Sequence, residues 1–479
     1  MAVSENSAER SRALSLEEVL RLARRIEEKE APLTGEQVEV LWRTARDYLG
    51  RREFLRLLTL GGAAAVVAAV SESRGVRLVA HAAPAGAPAR LGPLPTSLPE
   101  PRTEDKPYVK DLSRHWQLDP LNYALRYENL RYGDTNVPTP LYYVRTHHAG
   151  VIVDHTKWKL VVEGPGVSRR LELTFDDILR LPSVNQNAYT ECSGNGRSFF
   201  RDVMGRPAEG LQWRWGSNSQ ANWDGVEIRE VLQRAGLKRE AVAVNFIDVG
   251  AKRYNRPIDI QEVLRPGNIL AYGMNGTWLP WDHGFPLRVI APRYTCASNV
   301  KWLGTIYVDT KPIWVEWNTE KYIFEGPDFP PQPPARGVPV TFTAIRSALA
   351  LKWVEPADPT PHRLRPGPNR IWGFAWSPFA KIRSVDYAIV RLTTLDDWRR
   401  VDPADRSRVT WQRARLSSRQ RSEIEWVRFE FEWDASPGLY GILTRATDEK
   451  GNAQPLEMPK WNKLGYGWNR PVAHPMQVG

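Results

Sequence analysis

The sequence predicts an α+β fold in two parts, a mixed α/β domain over residues 111–331 and an all-β antiparallel sandwich over 335–479. Three observations predict it. Strand-like apolar runs mix with short amphipathic stretches in the first part, a Pro-rich joint interrupts the chain, and period-two hydrophobicity dominates the residues beyond that joint. Composition agrees: 42% hydrophobic and 25% charged residues with 34 Gly and 38 Pro suit a loop-rich, β-containing soluble protein better than a helical bundle or a disordered chain. Twenty tryptophans against five methionines make rigid aromatics the main core filler.

In the first domain, 158–163, 242–249 and 287–291 read as strands, and 175–181 and 226–235 as amphipathic helices. The joint is Pro327-Asp328-Phe329-Pro330-Pro331-Gln332-Pro333-Pro334, whose consecutive prolines exclude both a helix and a central strand. Over 426–433, Val427, Phe429, Phe431 and Trp433 face one way while Arg428, Glu430 and Glu432 face the other, as a strand with one buried face requires. Similar strands are expected at 371–376, 384–392 and 439–446, with Ser436-Pro437-Gly438 as a turn, which makes a small sandwich. No internal repeat of solenoid or propeller length is present.

Ahead of the domains, residues 1–50 read as a helical extension, with one apolar stripe of Leu14, Leu16, Val19, Leu20, Leu22, Ala23 and Ile26 at helical spacing. A chaperone or second subunit, a helical hairpin, and a start codon assigned too far upstream all account for it. Residues 51–82 place Arg51-Arg52 and Phe54-Leu55 before an apolar run, 57–70, and a small-residue site at Ala80-His81-Ala82. This resembles a twin-arginine export signal, which implies a periplasmic or other extracytoplasmic protein that folds, with any cofactor inserted, before transport. The run is shorter than the roughly 20 residues of a spanning helix. A buried or interfacial helix is the alternative. Residues 83–110, rich in Pro, Ala and Gly, read as a tether without packed structure.

A net charge of +11 and a pI near 9.6 imply attraction to anions. Nucleic acid is a poor candidate, because no aromatic-studded RNA motif, zinc-finger spacing or long Lys/Arg block occurs. A small oxyanion substrate and an anionic cofactor fit better. The two cysteines, Cys192 and Cys296, allow at most one bridge and no Cys-rich metal cluster. Without a Cys-x-x-Cys-His motif, any c-type haem sits on another protein.

The segment Tyr189-Thr190-Glu191-Cys192-Ser193-Gly194-Asn195-Gly196-Arg197 sets one thiol among small residues, with a guanidinium five positions later. Small side chains let a bulky ligand approach, and a nearby cation favours the thiolate that a soft metal or a covalent mechanism needs. These residues alone leave metal ligand, nucleophile and plain buried cysteine open.

Cys192-Ser193-Gly194-Asn195-Gly196-Arg197 resembles the Cys-x-Gly-Asn-x-Arg loop of the sulfite oxidase family of molybdopterin oxidoreductases. Further segments resemble the family's in order: Tyr143-Val144-Arg145-Thr146-His147, the stretch 215–226, Ala271-Tyr272-Gly273-Met274-Asn275-Gly276, His283-Gly284-Phe285-Pro286-Leu287-Arg288, Ser298-Asn299-Val300-Lys301-Trp302-Leu303, and the C-terminal run from Ala446-Thr447-Asp448 to Trp461-Asn462. The resemblance implies a molybdopterin-binding domain, an immunoglobulin-like dimerisation domain, and molybdenum-molybdopterin as cofactor with Cys192 as the protein's metal ligand. It implies Arg145 and Arg197 as cationic walls of an anion pocket, where a planar charged fork matches an oxyanion, and Tyr272 as the phenol beside the reacting oxygen. Tyr143, Arg145, His147, Asp248, Arg253 or Arg256, Ser298 and Lys301 carry over as cofactor contacts. Against these roles, His147 also reads as a satisfied surface histidine and Arg197 as a cap for loop carbonyls.

The chain departs from the pattern near its end. Some animal members carry an arginine after Trp-Asn, whereas Leu464 stands there with Lys463 beside it, which leans toward bacterial relatives including the sulfane dehydrogenase subunit. Thr146 in place of asparagine is expected to alter pterin contacts more than chemistry. Cys296 matches no family ligand and is expected to be a small buried residue, and His148 and His155 to be surface histidines. The function implied is oxidation of sulfite to sulfate, with electrons leaving to an external c-type cytochrome and a homodimer or a heteromer with a cytochrome subunit as the assembly. The rivals are a sulfane dehydrogenase subunit acting on carrier-bound sulfur and a non-catalytic exported scaffold.

Overall fold

A computed structural model describes residues 91–95, 110 and 112–479. The helical extension, the arginine pair with its apolar run and most of the tether lie outside the described residues. Among the described residues, no helix is long and apolar enough to cross a membrane.

The first domain is built from β1 (Lys159–Glu163), α1 (Phe175–Leu179), β2 (Ser183–Glu191), β3 (Asn218–Glu227), α2 (Ile228–Arg234), β4 (Ala243–Asp248), β5 (Ile269–Met274) and β6 (Leu303–Asp309). One sheet runs Thr277–Trp278, β5, β3, β2, with Arg288–Ile290 also on β5; the other runs Leu171–Thr174, β1, β6, β4, Asn255–Asp259. Only β1 and β6 run parallel in it, so the domain is mixed. A capping box opens α1: Thr174 Oγ1 accepts from the Asp177 amide while the Asp177 carboxylate accepts from the Thr174 amide. The helix expected at 226–235 begins two residues late, because Val226 is held by Ser183 and Leu270 on either side of β3 and belongs to the sheet.

The second domain packs β7 (Arg346–Leu349), β8 (Gly367–Trp376) and β10 (Val427–Ala435) against β11 (Gly438–Asp448), β12 (His474–Val478) and β9 (Ile382–Leu392), with short edge strands completing the two sheets. Val427, Phe429 and Phe431 enter its core as the alternation predicts. Glu430 does not reach solvent as predicted. Its carboxylate is 3% exposed, held by the Tyr132 hydroxyl from the first domain and by Arg415. The joint closes into a loop where Ile323–Phe324 pairs with Val338–Pro339.

The two domains share one core. Cys192, Trp215 and Trp223 of the first cluster with Trp376, Trp398 and Trp468 of the second. Each fully buried indole contributes on the order of 4 kcal/mol by area, before ordering costs. A described stretch within the tether also packs: Leu91 is 5% exposed in the other core of the first domain, and Trp278 Nε1 donates to the Gly92 and Pro93 carbonyls at 3.1 and 2.9 Å. An apolar leucine at 91 was enough to dock this part of a segment whose composition reads as unstructured.

Candidate active site

The β2–β3 hairpin carries Cys192 one residue beyond its paired end, where the Cys192 amide donates to the Ser217 carbonyl at 2.9 Å. The loop then turns on itself, with Asn195 N donating to Cys192 O at 3.0 Å and Arg197 N to Gly194 O at 2.9 Å. A Cβ at Gly194 would stand 2.9 Å from the Arg197 guanidinium, so this glycine makes room for the chain's own arginine. Arg197 is 6% exposed, and its Nε and Nη1 donate to the carbonyls of Leu464 and Leu211 at 2.7 and 2.8 Å. It therefore does cap carbonyls, as its plainer reading held, while its charge still reaches the thiol.

Cys192 and Cys296 are both free. The Cys296 thiol hydrogen-bonds to Cys192 and, with Arg145, the Gly194 amide and Arg197, lowers its pKa to about 6. Burial opposes this and is outweighed. The same bond and burial push Cys296 well above the ordinary thiol range, so Cys192 is the thiolate and Cys296 the donor. Cys296 was expected to be a buried filler; it is partly exposed and lines a narrow cleft.

Arg145, His147, Tyr254 and Tyr322 line the same cleft. Arg145 Nη1 donates to Asn122 Oδ1 at 3.1 Å, and its charge survives burial because Tyr322 and Cys192 face it. The His147 ring packs against Trp317 at 4.5 Å and shares a 2.5 Å hydrogen bond with the Tyr322 hydroxyl. Burial pushes the Tyr322 phenol well above its usual range, so it keeps its proton. Tyr322 rather than Tyr272 is thus the phenol brought to the thiol. Tyr272 lies on the face of β5 that it shares with Leu270, in the other core against Trp278, whereas Ala271 faces the core of Cys192. Tyr466 stacks on Tyr322 at 5.7 Å and lies 5.0 Å from the Arg197 guanidinium, so the second domain completes the wall.

The structure separates the two competing arginines. Arg256 is 2% exposed, stands 5.6 Å from the Tyr322 ring and leaves Nη1 without a partner among the described residues, while Arg253 is exposed. Ser298 Oγ is likewise buried without a partner among the described residues. Tyr143 is buried with its hydroxyl bonded to Thr190 Oγ1 at 2.9 Å. Asp248 is spent on His148, whose Nε2 it meets at 2.8 Å, so His148 lines the cleft rather than the surface. His155 is half-buried against Phe175 and Phe285. Thr146 hydrogen-bonds the His148 carbonyl at 2.8 Å.

Behind the cleft, Lys301 joins two cations that sequence reasoning did not assign, Lys110 and Arg288. Lys110 Nζ meets His283 Nε2 at 2.8 Å, Arg288 Nη1 donates to the His283 carbonyl at 3.0 Å, and Lys301 Nζ donates to the Asp282 carbonyl at 2.9 Å. Burial lowers both lysines to about 7, with Arg288 adding to the effect on Lys301 and Asp282 partly opposing it. Buried cations beside unpartnered donors make a place for an anionic, acceptor-rich ligand. His283 and Arg288 lay in a recognised motif, but nothing in a Pro-rich segment marked Lys110. Among the described residues, no group of three or more His, Cys, Asp or Glu side chains could hold a metal alone, so a metal on Cys192 needs ligands from a cofactor.

Comparisons with known proteins give the family. Residues 147–317 match the family model described as oxidoreductase molybdopterin binding domain. Mitochondrial sulfite oxidase of Macaca fascicularis is 30% identical over 79% of this chain and 70% of its own length, and sulfite oxidase of Arabidopsis thaliana 28% identical over 70% and 86%. The sulfane dehydrogenase SoxCD of Paracoccus pantotrophus shares the fold, with a TM-score of 0.62 at 23% identity over 75% of this chain and 86% of that one. On this footing the chain belongs to the sulfite oxidase family of molybdopterin-dependent oxidoreductases.

Proposed function

We propose that this enzyme oxidises sulfite to sulfate, taking the added oxygen from water and passing two protons to solvent and two electrons to an external c-type cytochrome. The observation that carries the reading is the low-pKa thiol of Cys192, hydrogen-bonded to Cys296 in the lining of a cleft that also carries Arg145 and a protonated Tyr322. The residues fit the cofactor: Cys192 would hold the metal, Ser298 and Arg256 would offer their unpartnered donors to the pterin, and the Lys110, Arg288 and Lys301 cluster would take the phosphate. The chemistry that a bound molybdenum centre would supply is two-electron oxidation coupled to oxygen-atom transfer.

The chain's own groups bind, orient and shelter the substrate. Arg145 draws a dianion into the cleft with a fork that keeps its charge. Tyr322 keeps its proton on Oη, and His147 orients that hydroxyl toward the oxyanion, where a donor is worth most as charge develops. The rings of Tyr254, Trp317 and Tyr466 exclude water from one side. Sulfite turnover with added cytochrome c and about one molybdenum per chain is expected; a metal-free, fully folded protein without turnover points instead to the scaffold.

Oxidation of carrier-bound sulfane sulfur is the second reading. Trp317, packed on the cleft-lining rings of His147 and Tyr254, gives the cleft an aromatic wall of a kind polarizable sulfur favours, and Leu464 adds no side-chain cation. Turnover only with a thiolated carrier would select it. We also assign export by the twin-arginine route on the strength of residues 51–82. Replacing Arg51 and Arg52 with lysine is expected to retain the protein in the cytoplasm, read by cell fractionation.

A further inference from the structure

We propose that Glu191 and Arg346 are a positioning pair through which the sandwich domain sets the attitude of the Cys192 loop, an inference that rests on the ligand role given to Cys192. Glu191 immediately precedes that cysteine and is 0% exposed. Its Oε1 accepts from Asn195 Nδ2 at 2.7 Å and from Arg346, and its Oε2 accepts from Trp376 Nε1 at 3.0 Å.

Both outside donors come from the second domain. Arg346 and Trp376 are ladder partners on β7 and β8, so one rung of the sandwich grips both oxygens of the carboxylate. Arg346 Nε also donates to the Trp468 carbonyl at 2.7 Å, and the Trp468 Cβ is 3.2 Å from where a Cβ on Gly196 would stand. The grip passes on through the loop. Asn195, held by Glu191, accepts from Ser217 Oγ at 3.0 Å, and the Ser217 carbonyl accepts the Cys192 amide at 2.9 Å. Residues 191, 192, 195 and 217 thus form one hydrogen-bonded circuit whose anchor is Arg346.

Stability does not require a charge pair here. Burying two ions removes hydration that their attraction roughly replaces, and well-packed apolar residues of the same volume commonly serve stability as well or better. What an apolar pair cannot do is fix the direction of a carboxylate by three donors, and with it the loop that carries the thiol.

The test uses the cofactor-loaded enzyme with Glu191→Gln, Arg346→Met, Arg346→Lys and the double variant. The measurements are molybdenum content, kcat and KM separately, and the absorption and circular-dichroism bands of the thiolate–metal bond. Glu191→Gln and Arg346→Met are expected to keep the metal, lower kcat by roughly 10–100-fold with KM unchanged, and shift those bands. Arg346→Lys restores part of kcat, and the double variant falls no further than the worse single because both break one link. Unshifted bands and unchanged kcat, whatever happens to the melting temperature, overturn the pair. Should Arg346→Met not fold, the isosteric Glu191→Gln decides alone. A molybdenum content unchanged in Cys192→Ser sinks the ligand reading itself, which no result on Glu191 would do.

Discussion

The core of the sandwich and the cleft of the first domain bury their residues under opposite rules. Between its sheets the sandwich encloses Ile371, Val385, Phe429, Ile442 and Met476, all at 0% exposure and none with a polar group to satisfy. The cleft and the space behind it enclose Arg145, Arg256, Arg288 and Lys301, with the Arg256 Nη1 and Ser298 Oγ lacking partners among the described residues. Buried cations only partly countered, as Lys301 is by Asp282, cost free energy that a bound anion offsets. The first arrangement maximises stability of the chain alone, and the second gives some of it up for what it binds.

The sharpest way to break that contrast is at the sulfur. Cys192→Ser is expected to abolish turnover and to drop molybdenum far below one per chain by metal analysis, while the sandwich stays folded by circular dichroism. Retained activity would remove the basis for treating the cleft as a metal site. Next comes the phenol. Tyr322→Phe is expected to lower kcat by about 10²–10³-fold, and Tyr272→Phe to leave kcat unchanged, because Tyr272 lies across β5 in the other core. The reverse pattern in steady-state kinetics would return the role to Tyr272. In the sandwich the effect moves from rate to stability: Ile371→Ala is expected to cost about 2–5 kcal/mol in denaturant unfolding with kcat unaltered.

The contrast also governs how much the sequence revealed. Period two in 426–433 placed Phe429 and Phe431 correctly, because a strand with one apolar face has one way to sit. The Cys192 loop, Arg145 and Arg197 were legible as motifs, and the structure brings them together. Tyr272 was misplaced although the same period-two rule applied to it: Leu270 and Tyr272 share a face of β5, and Leu270 points to the other core. Tyr322, Lys110 and Arg346 were invisible for a different reason. Lys110 meets His283 across 173 residues of chain and Arg346 meets Glu191 across 155, and no local pattern encodes a meeting at that distance. Glu430 belongs with them, since the Tyr132 that covers it lies 298 residues away.

The smallest expected effect probes the cations behind the cleft. Lys110 and Lys301 fall from the ordinary 10.5 to about 7, chiefly through burial. A lysine so depressed favours the folded protein fully above pH 10.5, and that contribution is lost as pH falls toward 7, because the unfolded chain takes up the proton first. An anion reverses the preference, since it binds the protonated pair and stabilises only the folded state. Sulfate suits the test because its charge does not change between pH 6 and 8.5. On cofactor-free protein it is expected to raise the melting temperature more at pH 6 than at pH 8.5, against chloride at equal ionic strength. At ten times its dissociation constant the gain is about 1.4 kcal/mol. Equal protection at both pH values, or protection that survives Lys301→Met together with Lys110→Met, would mean that these lysines do not form the anion site and that the contrast between the two interiors has another origin.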